Sequence, residues 1–356
     1  MTDLRTGVVT DAQLLALQKG RSAAVEWLRS HVGADGKPVG AESTNRWWRL
    51  PWALSIAGDS VTAASVLAWA EHNAFDEQYD LRPGPMEFAP GASPIYELSA
   101  LAIAAWRLGR YDLANCLLDR CATFQSQVTG GVYDRRKRVN TEQDVLKTAQ
   151  LGLAAIVANR RDIADPIYGW FVRLWAAQPE LPKVLYPVMD DNGELTKPSG
   201  DDFPSQFKYK VDLSAPLQPY YNPAIAAAFL YDYGSLTRES AAIALARQYL
   251  QLNIDGTEAQ YNDRRSVQIC KFAWGVANGI LVDRASDLTI HAIRMGEWFL
   301  ERQNADGSWT PASFGRAVEP TETDKLWKTG EHVMELTMIL CALQHKINQR
   351  GNEPIN

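Results

Sequence analysis

Apolar side chains recur at three- and four-residue spacing along most of this chain, the period of helices with one buried face. The stripes run over about 11–32, 45–57, 61–74, 94–109, 111–127, 142–158, 162–177, 220–234, 236–252, 266–281, 286–304 and 327–346. These twelve predicted helices fall into six pairs, and the gaps between them tend to alternate between short and long. The tight connectors lie near Gly58-Asp59-Ser60, Gly109-Arg110, Asn159 and Gly234-Ser235, where Gly and Asn suit helix C-caps. The long ones cover about 33–44, 75–93, 128–141, 178–219, 253–265 and 305–326, and most are rich in Gly, Pro or Asp. Short turns at one end and long loops at the other are what an all-α (α/α)6 barrel produces, with every second helix lining the interior and the long loops gathered at its mouth. The segments Gly131-Val132-Tyr133 and Val184-Leu185-Tyr186 are expected to form short strands or hairpins there, the second cut short by Pro187.

A repeat supports this reading. Residues 297–309 end a helical run in Gln303-x-x-x-Gly307-x-Trp309, and Glu26, Trp27, Ala34, Asp35 and Gly36 match Glu297, Trp298, Ala305, Asp306 and Gly307 at one constant offset. A looser copy is read at Gln127, Gly131 and Tyr133. Helix-then-turn units that recur in this way bury their faces against neighbouring units. Residues 1–356 are therefore expected to form one toroidal domain.

Composition narrows the class. With 46% hydrophobic residues the chain can bury a large core, and a net charge of -6 argues against a nucleic-acid partner. No stretch approaches the roughly 18 consecutive apolar residues of a membrane span. The N-terminus shows no apolar signal region, and the four cysteines lack Cys-x-x-Cys spacing, so a cytoplasmic protein with reduced thiols is expected. Oligomeric state is not legible.

The expected inner-helix starts supply the candidate chemistry. Glu97, Asp144 and Glu331 offer oxygen ligands to a hard cation such as Mg2+, while Arg46, Arg49, Lys147, Lys271 and Lys328 could neutralise an anion. Six helix N-termini would add partial positive charge at the same place. This mixture favours a diphosphate with magnesium over a neutral sugar, although each residue could instead belong to an ion pair with a neighbour. Trp47, Trp48, Trp52, Tyr96, Tyr220, Tyr221, Phe272, Trp274 and Trp327 could form an aromatic cup below, of use to a carbocation or a sugar. Lys271 stands one turn into an otherwise apolar helix and needs an anion there, either a carboxylate or a bound phosphate. The stretch Asp190-Asp191-Asn192-Gly193-Glu194 has an acidic metal-motif spacing, but its Asn-Gly and flanking prolines make it a solvated turn.

Gln303-Asn304-Ala305-Asp306-Gly307-Ser308-Trp309 resembles the Gln-Trp repeat of terpene cyclases and protein prenyltransferases, α/α toroids that handle isoprenoid chains. A short toroid of this kind is similar to the atypical humulene synthases of fungal tropolone sesquiterpenoid pathways. That resemblance implies a sesquiterpene cyclase that ionises farnesyl diphosphate with Mg2+ and an essential lysine, here Lys271. Val267 stands where the family carries Leu or Met. Arg46, Trp47, Tyr96, Lys147, Tyr221, Val267, Trp274 and Lys328 would then bind the isoprenoid diphosphate, and Glu97, Asp144 and Glu331 the metal. Two other readings stay open: a sugar-processing α/α barrel using Glu97 and Asp144 as acid and base, or His332 as an epimerase base, and a repeat scaffold that binds a partner protein.

Overall fold

The computed structural model describes residues 8–82, 91–136, 141–262, 269–311 and 319–351. Helix α1 (Asp11–Ser30) is followed by a 3-10 turn (Arg46–Arg49) that runs into α2 (Leu50–Ile56), then α3 (Ser60–Asn73), α4 (Ile95–Arg107) and α5 (Tyr111–Ala122). Strand β1 (Gln143–Asp144) leads into α6 (Val145–Val157) and α7 (Arg161–Ala176). The long loop after α7 carries β2 (Val184–Leu185), β3 (Val188–Met189), α8 (Phe203–Tyr209) and β4 (Val211–Asp212). The chain continues through α9 (Tyr221–Thr237), α10 (Ser240–Ile254), the short α11 (Ala259–Asn262), α12 (Cys270–Val282), α13 (Thr289–Arg302) and α14 (Glu322–Gly351). All twelve expected helices are present; α8 and α11 are too short for periodicity to reveal.

Helices α2, α4, α6, α9, α12 and α14 pack each on the next, and α14 returns to α2. Helices α3, α5, α7, α10 and α13 lie outside their preceding inner partners, and α1 lies against α14 and α13. This is an (α/α)6 barrel. Burial follows the position in it: α9 and α12 are buried over most of their length, whereas outer α1 buries one stripe of Leu17, Gly20, Ala24, Trp27 and Leu28. The strands are small. β1 pairs antiparallel with β3 (Gln143 opposite Met189), and β2 with β4 (Val184 opposite Asp212). Val184–Leu185 is thus a strand that ends before Pro187, while Val132 and Tyr133 make only isolated bridges to Gln125 and Gln143.

One turn geometry recurs through the barrel. In 303–309, Asn304 N donates to Ser308 O at 2.8 Å and Gly307 N to Asn304 O at 2.9 Å. The same pair of bonds appears from Gly33 to Lys37 and Gly36, from Asp76 to Asp80 and Tyr79, and from Asp190 to Glu194 and Gly193. Gly36, Tyr79, Gly193 and Gly307 occupy the equivalent left-handed position, with φ of 82°, 59°, 79° and 91°. At Gly307 glycine is required twice over, because a Cβ would also lie 2.6 Å from the Ala23 carbonyl of α1. Gly36 stands in the same way against Ser65 of α3, and Gly130 against Pro166 of α7. The turns of Gly36, Gly130 and Gly307 therefore dock on the next outer helix, and the last docks on the first.

The looser copy is corrected by this geometry. Its glutamine is Gln125, not Gln127: Gln125 Nε2 donates to Gly130 O (2.9 Å) and Ile163 O (3.0 Å), as Gln303 Nε2 does to Gly307 O (2.9 Å) and Gly20 O (2.8 Å). Nor is Asp190-Asp191-Asn192-Gly193-Glu194 wholly solvated. Asp190 shapes a repeat turn by accepting from Asn192 N and Glu194 N, and Asp191 accepts from Ser126 Oγ, Tyr133 Oη and Gln143 Nε2 at 2.6–2.8 Å. Of the cysteines, all four are free, but only Cys121 and Cys270 are buried.

Trp309 is 2% exposed, with its indole N–H on the Phe299 carbonyl at 2.9 Å and its backbone N–H on Thr329 Oγ1 at 3.0 Å. Trp309→Ala should lower unfolding free energy by roughly 3–5 kcal/mol in urea titrations, since it opens a cavity at the ring seam. A loss below about 1 kcal/mol would show that the seam does not depend on it.

Candidate active site

The inner helices begin at one end of the barrel, and their N-terminal halves hold two neighbouring charged groups. The deeper group centres on Glu331. Helix α14 starts at Glu322 rather than near 327, so Lys328, Glu331 and Glu335 lie in its second to fourth turns, inside the ring. Glu331 Oε1 is 2.9 Å from Arg49 Nη2 and 2.5 Å from Lys271 Nζ, and its Oε2 pairs with Lys328 Nζ. Glu335 Oε1 lies 3.7 Å from Lys271 Nζ, and its other oxygen 3.3 Å from His332 Nδ1. Arg49, Lys271, Lys328, Glu331 and Glu335 are all at most 5% exposed.

Electrostatics sets their charge states. Burial opposes ionisation of Glu331, but Arg49, Lys271 and Lys328 outweigh it and hold its carboxyl well below the usual range. Burial likewise opposes the Lys271 ammonium, and Glu331 outweighs it, so the lysine stays charged. His332, pushed down chiefly by burial, is held toward its neutral form, and burial keeps Cys270 a thiol. Arg49 also stacks within a cage of rings, 4.3 Å from the Trp48 centroid, 5.2 Å from Tyr96 and 5.0 Å from Trp327, and donates from Nη2 to Tyr96 Oη at 3.0 Å.

The second group lines a cleft of about 400 Å³ between the starts of α6 and α9 and the loop that carries α8. Asp134, Asp144, Lys147, Phe207, Lys208, Tyr221 and Asn222 form its walls. Asp144 caps α6, its Oδ1 accepting from Lys147 N at 2.8 Å and its Oδ2 lying 3.1 Å from Lys147 Nζ. Lys208 brings α8 to the barrel by pairing with Asp134 at 2.9 Å and with Glu142. Glu97, in the first turn of α4, is buried and its Oε2 has no hydrogen-bond partner among the described residues. Burial pushes its carboxyl above the usual glutamate range, against the pull of Lys147, Arg49 and Arg136. Burial also raises the Tyr221 phenol, with Asp144 adding to the effect.

The residues expected at the site divide accordingly. Lys271 and Lys328 meet at Glu331 with Tyr96 beside them; Asp144, Lys147 and Tyr221 share the cleft. The anion that Lys271 requires is a carboxylate. Arg46 pairs with Asp324 at the rim. Trp274 packs edge-on to Trp52 at 5.3 Å, whereas Trp47 turns outward to Trp69 of α3 at 5.4 Å, because the 3-10 turn sends 47 and 48 to different sides. Val267 lies outside the described residues. Glu331 pairs with three cations, Glu97 is buried in α4 and Asp144 lines the cleft, so the ligand atoms of these three carboxyl groups, expected to share Mg2+, do not all lie within 4.8 Å of one another. Among the described residues the group of three with ligand atoms within 4.8 Å of one another is Cys270, His332 and Glu335. Glu335 was missed by sequence reasoning, although Lys328, Glu331 and Glu335 form a charged stripe at three- and four-residue spacing on an inner helix. Asp134 stands in a loop and Lys208 on the short α8, neither of which carries such a signal.

No protein-family model matches the chain, and none of the curated proteins matches its sequence. Solved structures do match its fold. The α-1,6-mannanase of glycoside hydrolase family 76 from Salegentibacter sp. HEL1_6 superposes with a TM-score of 0.62 at 13% identity, over 92% of this chain and 99% of that one. A family 76 mannosidase from Bacteroides thetaiotaomicron gives 0.61 at 9% identity, over 93% and 99%. An unsaturated glucuronyl hydrolase from Streptococcus agalactiae gives 0.58 at 11% identity, over 94% and 96%. These toroids are glycoside hydrolases, not terpene cyclases. They overturn the resemblance to humulene synthases, and with it the sesquiterpene cyclase activity and the isoprenoid diphosphate partner expected from it. Among the described residues no helix is long and apolar enough to cross a membrane.

Glu331→Gln would leave Arg49, Lys271 and Lys328 without their shared carboxylate, and such a buried orphaning costs about 3–5 kcal/mol. Urea unfolding should register that loss, and a loss under about 1 kcal/mol would mean that water reaches the cluster freely.

Proposed function

We propose that the protein is a glycoside hydrolase that binds saccharide in the cleft over α6 and α9, with Glu97 and Asp144 as its paired carboxyl groups. The observation that carries this reading is the cleft itself: an open volume of about 400 Å³ at the barrel mouth, walled by Asp144, Lys147, Lys208 and Tyr221. The fold of family 76 and of the glucuronyl hydrolase supports it as analogy. One of the mannanase structures is an inactive variant, with two consecutive aspartates replaced, in complex with α-1,6-mannotriose.

The chemistry divides between two environments. Desolvation keeps Glu97 protonated above the usual carboxylate range, which suits a general acid. Its proton passes to the glycosidic oxygen as the bond from that oxygen to the anomeric carbon breaks. Asp144 faces the cleft and takes the proton of the water that attacks the anomeric carbon. Lys147 serves both groups, paired with Asp144 at 3.1 Å and acting electrostatically on Glu97. Tyr221 and Phe207 supply ring surface for a sugar face. The free cysteines suit a reducing compartment, so we place the protein in the cytoplasm as one catalytic domain.

A panel of α-1,6-manno-oligosaccharides, unsaturated glucuronyl disaccharides and neutral β-linked disaccharides tests the reading. Hydrolysis of at least one class is expected, with Glu97→Gln and Asp144→Asn each lowering kcat by about 10²–10⁴-fold at unchanged melting temperature. No hydrolysis across the panel, or full kcat in both variants, would overturn it.

The pH profile gives a separate check. Because the Glu97 pKa is raised and its acid form is the working one, kcat should fall as pH rises through that pKa, on a limb displaced above the ordinary glutamate range. The residual activity of Glu97→Gln should lack that limb; a limb retained in the variant would assign the proton to another group.

A further inference from the structure

The Glu331 cluster is not neutral. Among the described residues three cations, Arg49, Lys271 and Lys328, face two carboxylates, Glu331 and Glu335, which leaves one positive charge in excess in this cluster. His332 and Cys270 are held uncharged, as is the Tyr96 phenol, which burial raises. Nearby Glu97 is pushed toward its neutral acid. An uncompensated buried charge is costly, so proteins rarely keep one without a partner.

Two further observations locate that partner. Arg49 is 2% exposed, yet its Nη1 has no hydrogen-bond partner among the described residues, so half of its donor fork is open. The indole N–H of Trp48, a residue 1% exposed whose ring lies 4.3 Å from the guanidinium, likewise has no partner among the described residues. The half-buried rings of Tyr96 and Trp327 lie over the cations, 5.4 Å from Lys271 Nζ and 5.0 Å from the Arg49 guanidinium.

Resting on the glycoside hydrolase reading, we infer that Arg49, with the open Trp48 donor beside it, is the subsite for a carboxylate of the substrate, and that the saccharide it processes carries a uronic acid. The charge selects the ligand class. A carboxylate brings one negative charge and matches the excess, and its two oxygens suit an arginine fork. A phosphate monoester brings close to two charges and would overshoot. A divalent cation on Cys270, His332 and Glu335 would add to the positive excess, so that trio is not the complement the cluster needs.

Binding, measured without turnover, tests the inference. Isothermal titration with D-glucuronate and D-galacturonate should show saturable binding, with D-glucose, D-galactose and glucose 6-phosphate each at least about 10-fold weaker. Arg49→Gln makes the cluster neutral and should weaken uronate binding by about 10-fold or more. Glu335→Gln raises the positive excess and should tighten it, an opposite response that mere loss of packing would not give. Lys328→Met gives a second neutral cluster should Arg49→Gln fail to fold. Uronates binding no better than neutral sugars, glucose 6-phosphate binding better than glucuronate, or uronate affinity unmoved in the neutral variants would each overturn the proposal. Hydrolysis of neutral saccharides without uronate binding removes this subsite and leaves the hydrolase reading standing. Uronate binding without hydrolysis of any saccharide removes the hydrolase reading alone.

Discussion

The closed ring depends on how the turns at the ends of its outer helices dock. A toroid has no caps, so its last unit must present to its first the surface that every other unit presents to its successor. Here the contact is a left-handed glycine against a helix carbonyl, backed by a glutamine that donates to that same helix. Gly307 and Gln303 make it to Ala23 and Gly20 of α1, as Gly130 and Gln125 make it to Pro166 and Ile163 of α7. No side chain larger than hydrogen fits at Gly307, so the interaction constrains sequence and shape together. Where glycine is absent, Tyr79 accepts the left-handed backbone, and neighbouring Asp80 bonds Arg120 of α5 at 2.7 Å.

Closure has an electrostatic consequence. Six inner helices starting at one end place their charged N-terminal turns close together, in a space that their own aromatics partly seal from water. Charges there cannot be screened one at a time as surface pairs are. Glu331 stabilises three cations because it stands at their centre, and Lys271 remains charged in an apolar helix because that carboxylate comes to it from α14. The same confinement keeps Glu97 toward its acid form while Asp144, at the rim, faces the cleft. Two carboxyl groups with different surroundings are what proton-transfer chemistry needs, and the barrel supplies both from adjacent inner helices.

The helices, their pairing and the alternation of short and long connectors follow from apolar spacing and turn residues, which act over one or two turns of chain. So does the Gln-Trp turn, because Gly307, Asp306 and Trp309 are read locally. The same local reading gave the positions of Lys271, Glu97 and Asp144 at the helix starts. It could not say which of these residues meet. Lys271 and Glu331 are sixty residues apart, and whether the lysine's anion is a protein carboxylate or a ligand is settled only by how α12 and α14 lie in the ring. Reading α14 from 327 instead of Glu322 also hid how deep Glu331 and Glu335 lie. The resemblance to isoprenoid cyclases went astray for a related reason: the repeat turn specifies how one helix pair docks on the next, and toroids of different chemistry need the same docking. Sequence alone determined the barrel, because periodicity and turn chemistry are short-range. The tertiary structure alone decided the charge balance at its mouth, because the sum of cations and carboxylates in a buried space depends on which distant helices enclose it.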